Sequence, residues 1–329
     1  MVTKKGSPEA SFKARIGYSG PLSDISEEIC RKLNLGTPIS TKMVLQGYED
    51  VNLILKTSKG GYFIKLFSDF RDSESCNRYI DIMEKVSEIG INTPKMLKAK
   101  QGYLQTAHVG EVDLRFCVME LINGENMFAS GHMPNDNELR FIARQAALIN
   151  KADIRPKSPF YDSWAIVNIQ KEFKEKGKYL SPEDRRLIKL VVEAFESLTI
   201  ERLPHCFVHG DILTTNTIVD QSGKLWIVDF SVSNYYPRLV ELAVMAADLM
   251  FDVNSKEESE REFKLGLKEY EKLNKLTDEE RKLLPLFIRA AHAMHVISTN
   301  YEKVVKGTIT EENEEFFKSG KIGLRQTSQ

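Results

Sequence analysis

The amino-acid sequence predicts an α+β fold in two lobes, a small antiparallel sheet with one helix followed by a larger, mostly helical lobe. Residues 51–56 and 62–67 are rich in β-forming side chains, and glycines separate these runs. Within residues 72–89 the apolar side chains recur at helical spacing, which predicts the single helix of the small lobe. Beyond residue 123 helical periodicity dominates, interrupted by short strands at 205–208, 217–219 and 225–228.

The expected boundaries divide the chain into an N-terminal arm (1–24), an N-lobe (25–121) and a C-lobe (122–329). The polar arm is either a loose segment or one that packs on the fold, and its composition does not separate the two. The polar stretch after Gly307 predicts a fraying tail. The helix predicted over residues 238–251 is the most apolar of the C-lobe.

Composition excludes several classes of protein. The 329 residues are 42% hydrophobic and 28% charged, as in ordinary soluble domains, and the formal net charge of −1 argues against a nucleic-acid partner. Glu241 and Asp248 interrupt the longest apolar stretch, so we expect no membrane span. The N-terminus lacks a secretory pattern, and the four cysteines lack metal-binding spacing, which favours a cytoplasmic protein. The oligomeric state is not readable.

One segment carries a chemical signature. A predicted strand ends in His209-Gly210-Asp211, Asn216 follows five residues after the aspartate, and a hairpin then leads to Asp229-Phe230. Phosphoryl transfer from ATP needs one carboxylate at the acceptor hydroxyl, with an amide oxygen and a second carboxylate holding Mg²⁺. Each piece alone is an ordinary turn sequence, but the ordered combination indicates a phosphotransferase site.

This segment resembles the phosphotransferase enzyme family, whose pattern H-G-D-x-x-x-x-N followed by a strand and D-F it matches without gaps. That family includes aminoglycoside phosphotransferases, choline kinases, and homoserine kinase-like and hydroxylysine kinase-like enzymes, and it has a protein-kinase-like fold. The resemblance implies that Asp211 is the catalytic base, that Asn216 and Asp229 bind Mg²⁺, and that ATP is the phosphate donor.

The N-terminal half agrees with this resemblance. The segment around Gly47 resembles the family's turn over the ATP phosphates, although a plain hairpin explains one glycine equally well. Lys65 matches the strand lysine that pairs with the phosphates, although a lysine pointing outward from an edge strand would give the same sequence. Glu74 is the expected acidic partner of this lysine, with Asp81 and Glu84 as other candidates.

Two further segments fit the family. Residues 118–124 resemble the hinge, where main-chain groups of Glu120 and Ile122 would bond the adenine edge. Glu241 lies in the family's Pro-x-x-x-acid-Leu-Ala segment and is expected, with His209, to support the catalytic loop. A position at which the family usually has histidine is occupied by Asn150.

The acceptor is the least determined part of the prediction. Glu241, Asp248 and Asp252 recur at helical spacing, and an acidic helix face there would suit a cationic acceptor such as an amino alcohol, hydroxy-amino acid or aminoglycoside. A solvated helix face explains the same spacing. His292 and His295 could hold a metal at their spacing, but a buried helix face is the better interpretation without a third ligand.

The sequence therefore predicts a small-molecule O-kinase. A protein kinase is disfavoured because Pro237 follows Asp229 too closely to leave an activation segment. A catalytically inactive nucleotide-binding module is the other alternative, which the intact Lys65, Asp211 and Asn216 argue against.

Overall fold

The computed structural model describes residues 8–158 and 160–327, which divide into two compact units. The first unit runs to Ser87 and includes Thr93–Asn123. The second consists of Glu88–Asn92 and the chain from Gly124 onward. Within the described ranges no helix is long and apolar enough to cross a membrane.

The first unit contains five strands and the helices around them. These elements are α2 (Leu22–Leu33), β1 (Pro38–Val44), β2 (Val51–Thr57), β3 (Gly60–Leu66), α3 (Ser73–Glu88), β4 (Gln105–Val109) and β5 (Val112–Glu120). The strands form one antiparallel sheet in the order β1-β2-β3-β5-β4. One sheet face packs on the helix α2, and Lys65 on the other face lies 5.2 Å from the Tyr79 ring of the helix α3. The α+β fold prediction is confirmed.

The described part of the predicted N-terminal arm packs on this sheet. It forms the helix α1 (Pro8–Ala14), and the side chains of Phe12, Ile16 and Tyr18 are buried in the core beneath the sheet. Of the two possibilities that the composition left open, the structure shows the packed one for residues 8–20.

The second unit is mostly helical and contains two small sheets. The predicted strands β7, β8 and β9 are present, and two strands that the sequence did not indicate, β6 and β10, pair with β8 and β7. The elements are β6 (Gly124–Asn126), α4 (Met127–Ser130), α5 (Asp136–Lys151), α6 (Ile169–Lys176), α7 (Pro182–Glu196), β7 (His205–Val208), β8 (Thr217–Asp220), β9 (Leu225–Ile227), β10 (Asn234–Pro237), α8 (Leu239–Ala246), α9 (Lys256–Tyr270), α10 (Asp278–Tyr301) and α11 (Glu311–Gln326).

The prediction of a fraying tail after Gly307 is wrong. Thr310 caps α11 by accepting a hydrogen bond from the Asn313 N–H, and Asn313 Nδ2 donates to the Thr299 carbonyl of α10. Phe316 is buried against the rest of the unit. The segment is polar in composition, but it forms a helix whose small apolar face packs on α10.

The two histidines of α10 lie under this C-terminal helix. The His295 ring stacks on Phe316 at 5.2 Å, and the His292 ring meets Phe251 edge-on at 4.6 Å. A Cβ atom at Gly323 of α11 would lie 2.2 Å from the His292 ring, so glycine is required for this close approach. Among the residues described, no group of three or more His, Cys, Asp or Glu side chains is arranged to hold a metal.

We expect these histidines to make the protein sensitive to mild acid. Burial lowers the pKa of His295 to about 4 and that of His292 to about 3, from an ordinary value of 6.5. Below pH 6.5 these histidines bind protons in the unfolded chain but remain neutral in the folded chain. Their contribution to the free energy of unfolding is therefore complete above pH 6.5 and decreases as the pH drops toward 4. The loss by pH 4 is at most roughly 3 kcal/mol per histidine.

Chemical unfolding measured from pH 7 to pH 4.5 tests this expectation. The variant His295→Gln should show a shallower decline of unfolding free energy with falling pH than the parent protein. His108→Gln is the matched control, because the His108 side chain is 71% exposed. Equal slopes for the parent and His295→Gln would contradict the assignment.

Candidate active site

The predicted catalytic loop, residues 209–216, begins where β7 ends. Gly210 has a φ of +79°, a left-handed conformation that glycine adopts without strain. His209 lies beneath the loop: its Nε2 donates to the Val228 carbonyl at 3.1 Å, and its Nδ1 accepts from the Asp211 N–H at 3.2 Å. These partners require the neutral Nε2–H tautomer.

Burial also keeps His209 neutral. The ring is fully buried, which lowers its pKa to about 4, and it packs 4.3 Å from the Phe230 ring. A histidine with both ring nitrogens engaged by the main chain orients the loop and does not carry a proton. It therefore joins the Asp211 loop to the strand end that leads into Asp229.

The three predicted catalytic side chains converge within the second unit. Asn216 Nδ2 donates to Asp211 Oδ2 at 2.6 Å and to the Asp211 carbonyl at 2.9 Å. The Asn216 carbonyl accepts from the Val228 N–H at 3.0 Å, which fixes the residue before Asp229 against the same turn. The sequence motif thus forms one local site.

Asp229 adopts an unusual backbone conformation. Its φ is +64°, and such left-handed values in residues other than glycine are uncommon, although aspartate tolerates them. Oδ1 accepts hydrogen bonds from Ser231 N at 3.2 Å and Ser231 Oγ at 2.5 Å. Local strain of this kind is concentrated at functional sites.

Asp211 has several acidic neighbours. Burial raises the pKa of Asp211 well above its ordinary value, and the negative charges of Asp162 and Asp229 raise it further. Glu312 adds a smaller contribution, while the hydrogen bond from Asn216 opposes the rise. Negative charge around Asp211 favours a cation nearby.

Asp162 and Glu312 are acidic neighbours of Asp211 that no sequence motif indicated. Asp162 is buried before α6, where its Oδ1 accepts from the Trp164 N–H at 2.8 Å. Glu312 is buried in the first turn of α11, one turn before Phe316, whose ring lies 6.3 Å from Phe128 of α4. Neither belongs to a motif, so only the folded chain reveals them.

Glu241 supports the loop as expected. Its carboxylate accepts hydrogen bonds from the N–H groups of His209 at 2.7 Å and Gly210 at 3.2 Å. Burial raises its pKa to about 7. Asn150 Nδ2 donates to the same carboxylate at 3.0 Å, and Asn150 Oδ1 accepts from the Tyr270 hydroxyl at 2.7 Å. Asn150 thus connects α5, α9 and the loop.

The predicted acidic acceptor face is not present. The helix α8 ends at Ala246, so the three acidic positions do not share one helix. Asp248 Oδ1 accepts from the Thr214 N–H of the catalytic loop at 2.6 Å, and burial raises its pKa to about 6. Asp252 Oδ1 accepts from the Asn254 N–H at 2.7 Å. The structure assigns Asp248 to loop support, together with Glu241.

The expected nucleotide-binding residues lie in the first unit. Gly47, between β1 and β2, has a φ of +82°, and its carbonyl accepts from Arg15 Nη1 at 3.0 Å. Lys65 is buried on β3, and its Nζ lies 3.3 Å from Asp50 Oδ2. The expected pairing with Glu74 is not observed, because Glu74 is exposed in the first turn of α3.

The expected hinge residues follow the end of β5. Glu120 is the last residue of that strand, its N–H donates to the Lys95 carbonyl at 3.0 Å, and its Oε1 accepts from the Lys95 N–H at 2.9 Å. Ile122 lies two residues further, outside any strand, and is half-buried.

Comparison with known proteins identifies the family. The sequence profile of the phosphotransferase enzyme family matches residues 41–276, more than two thirds of the chain. The chain belongs to the phosphotransferase enzyme family. This confirms the resemblance drawn from the HGD and DF motifs, and it makes the protein a kinase that phosphorylates a hydroxyl group.

Individual relatives are distant but extend over most of the chain. A homoserine kinase of Sinorhizobium medicae is 21% identical over 289 residues, which are 85% of this chain and 86% of the relative. The amicoumacin kinase hAmiN, solved with AMP-PNP, Ca²⁺ and Ami, has a TM-score of 0.67 at 16% identity and covers 95% of both chains. A microcompartment-associated aminopropanol kinase has a TM-score of 0.64 at 10% identity, covering 94% of this chain and 97% of its own.

The match to the phosphotransferase family profile stops before the last two α-helices of the chain. It includes Lys65, Asp211, Asn216 and Asp229, and it ends before α10. Glu312 on α11 therefore lies outside the part that the family profile describes.

Proposed function

We propose that the protein is an ATP- and Mg²⁺-dependent O-kinase that transfers the γ-phosphate to a hydroxyl group of a small acceptor bearing an amine. Amino alcohols, hydroxy-amino acids and aminoglycoside-like compounds are the acceptor classes. The observation that carries the proposal is the position of Asp211, which is in contact with Asn216 and within the electrostatic influence of Asp162, Asp229 and Glu312.

Asp211 is the proposed base. Its carboxylate accepts the proton of the acceptor hydroxyl and aims that oxygen at the γ-phosphate, while Asn216 fixes the carboxylate orientation. Catalysis then depends on positioning and charge stabilisation, and a direct transfer needs no phosphorylated enzyme intermediate.

The donor set fits magnesium. Asn216 directs its Nδ2 at Asp211, which leaves its Oδ1 as the proposed metal ligand, and Asp229 supplies a carboxylate. An amide oxygen and a carboxylate, completed by phosphate and water, are the hard oxygen ligands that Mg²⁺ takes in kinases. When bound, the metal would neutralise charge on the phosphates.

The first unit supplies the nucleotide-binding groups in this proposal. Lys65 pairs with the phosphates, and N–H groups of the turn at Gly47 cradle them. Main-chain groups of Glu120 and Ile122 bond the adenine edge. These assignments rest on the family resemblance and on the burial of Lys65.

The preference for an amine follows from the charge around the base. Mg²⁺ offsets charge at Asp229, which leaves Asp162 and Glu312 to attract a cation on the acceptor. The relatives named for homoserine and aminopropanol act on compounds that carry an amine near the hydroxyl. A protein substrate is disfavoured, because only residues 230–233 separate Asp229 from β10.

An acceptor panel tests this proposal. Mg·ATP is incubated with homoserine, 1-amino-2-propanol, choline, glycerol and glucose, and ADP release is measured. We expect turnover of amine-bearing acceptors, and we expect Glu312→Gln to lower kcat/KM for them by roughly 10- to 100-fold, the cost of a lost ion pair. Glu311→Gln, an exposed neighbour on α11, should change kcat/KM by less than about twofold.

Two results would contradict different parts of the proposal. Preferred turnover of glycerol or glucose, or unchanged kinetics in Glu312→Gln, would overturn the amine preference. Absence of ADP release with every acceptor, together with absence of ATP binding, would overturn the kinase assignment.

A further inference from the structure

The buried lysine of β3 has an acidic partner outside α3. The Lys65 side chain is 3% exposed and that of Asp50 is 2% exposed, and Lys65 Nζ lies 3.3 Å from Asp50 Oδ2. Asp50 directly precedes β2, in the same connection that contains Gly47. The ion pair therefore joins the lysine to the turn between β1 and β2.

Asp50 is itself held rigidly. Its Oδ1 accepts hydrogen bonds from Arg71 Nε at 2.8 Å and from the Ser68 N–H at 3.1 Å. Because these bonds use one carboxylate oxygen, the other is left to face Lys65. A carboxylate with this support holds a lysine amine in one position more firmly than a flexible surface glutamate would.

The helix α3 presents a different surface to the lysine. Its fully buried residues include no carboxylate, Asp81 and Glu84 are half-buried, and the ring of Tyr79 lies 5.2 Å from Lys65 Nζ. The buried residues of α3 are Cys76, Arg78, Tyr79, Ile80, Ile82, Met83 and Val86.

We propose that Asp50 is the positioning residue for Lys65, and that through it the phosphate-binding turn and the phosphate-binding lysine form one rigid unit. This inference rests on the proposed function in one respect, the role of Lys65 toward the phosphates. Asparagine at position 50 would turn an N–H₂ donor or a weak acceptor toward a buried amine. A buried cation that loses a charged partner is strongly disfavoured, so we expect the amine to move from its position.

The test compares Asp50→Asn with Asp113→Asn. Asp113 is an aspartate of β5 in the same unit, and its side chain is 71% exposed. Calorimetry measures Kd for Mg·ATP and for adenosine, which lacks phosphates. In Asp50→Asn we expect the Kd for Mg·ATP to rise by about tenfold or more, and the Kd for adenosine to change by less than about twofold. In Asp113→Asn both constants should stay within about twofold.

A double-mutant cycle separates positioning from general stability. In a Lys65→Met background, Asp50→Asn should weaken Mg·ATP binding by less than about twofold further, since the group through which it acts is gone. A full additional tenfold loss, an equal loss of adenosine binding, or unchanged or tighter Mg·ATP binding in Asp50→Asn would overturn the inference.

Folding of the variants is checked by thermal melting. If Asp50→Asn does not fold, Asp50→Glu replaces it, because the longer carboxylate keeps the charge and displaces it from Ser68. Weaker Mg·ATP binding with unchanged adenosine binding then supports the inference, and unchanged binding of both overturns it. These measurements need no acceptor. If the parent protein phosphorylates an acceptor and Asp50→Asn binds ATP normally, only the role of Asp50 is refuted. If the parent protein binds no ATP, both proposals are refuted.

Discussion

Replacing Asp211 with asparagine is expected to lower kcat by about 10²- to 10⁴-fold, the range for removal of a general base. Asparagine keeps the shape of the side chain and an oxygen that can accept from Asn216, but it cannot take the proton of the acceptor hydroxyl. Because Asp211 is assigned to the acceptor and not to the nucleotide, the Kd for Mg·ATP should stay within about threefold of the parent value. Steady-state kinetics and calorimetry on the same preparation measure both.

Asp153→Asn is the matched control for this variant. The Asp153 side chain is 98% exposed, so the same chemical change there should leave kcat and Kd unaltered. Retention of most of the activity in Asp211→Asn would remove Asp211 from the role of base. A loss of ATP affinity as large as the loss of kcat would instead make Asp211 a nucleotide or metal ligand.

Replacing Asp229 with alanine should produce the complementary result. We expect the affinity for ATP in the presence of Mg²⁺ to fall by roughly 100-fold, while the affinity measured in EDTA stays close to that of the parent. The physical reason is that Asp229 contributes the one fully charged metal ligand proposed for the site. Calorimetric titrations with and without Mg²⁺ supply the comparison.

Backbone strain must be separated from charge in that experiment. Asp229 has a φ of +64°, which alanine tolerates poorly and asparagine tolerates better. Asp229→Asn therefore keeps the backbone conformation while removing the charge, and it should also lose the Mg²⁺-dependent part of the affinity. If Asp229→Asn keeps the parent's gain in ATP affinity on addition of Mg²⁺, or if both variants lose as much affinity in EDTA as in Mg²⁺, the metal assignment is wrong.

The parts of the fold that local pattern determines were predictable. Alternating burial in β2 and helical spacing in α3 appear directly in the sequence, and both elements lie where expected. The errors came from tertiary packing. The helix α11 is polar in composition, yet it packs closely on α10, with Gly320 against the His292 carbonyl and the His295 Cβ and Gly323 against the His292 ring. The helix predicted over 238–251 ends at Ala246, so the prediction that Glu241, Asp248 and Asp252 share one helix face is wrong.

In the candidate site, too, local contacts were predictable from the sequence and contacts between distant segments were not. Asp211, Asn216 and Asp229 lie within one loop and hairpin, so their convergence follows from local geometry. The pairing of Lys65 with Asp50 depends on the register between β2 and β3, and the approach of Glu312 depends on the last helix. Neither has a sequence signature, because the contacts join distant segments.

The central claim is that the protein transfers phosphate from ATP to a hydroxyl group, and phosphorus NMR of the reaction tests it most directly. The protein is incubated with Mg·ATP and an amine-bearing acceptor, and the phosphorus resonances are followed with time. The account predicts that ADP and one phosphate monoester appear in equal amounts, and that neither forms at a comparable rate with Asp211→Asn. Formation of ADP with inorganic phosphate alone, or a phosphoramidate on the amine of the acceptor, would contradict it.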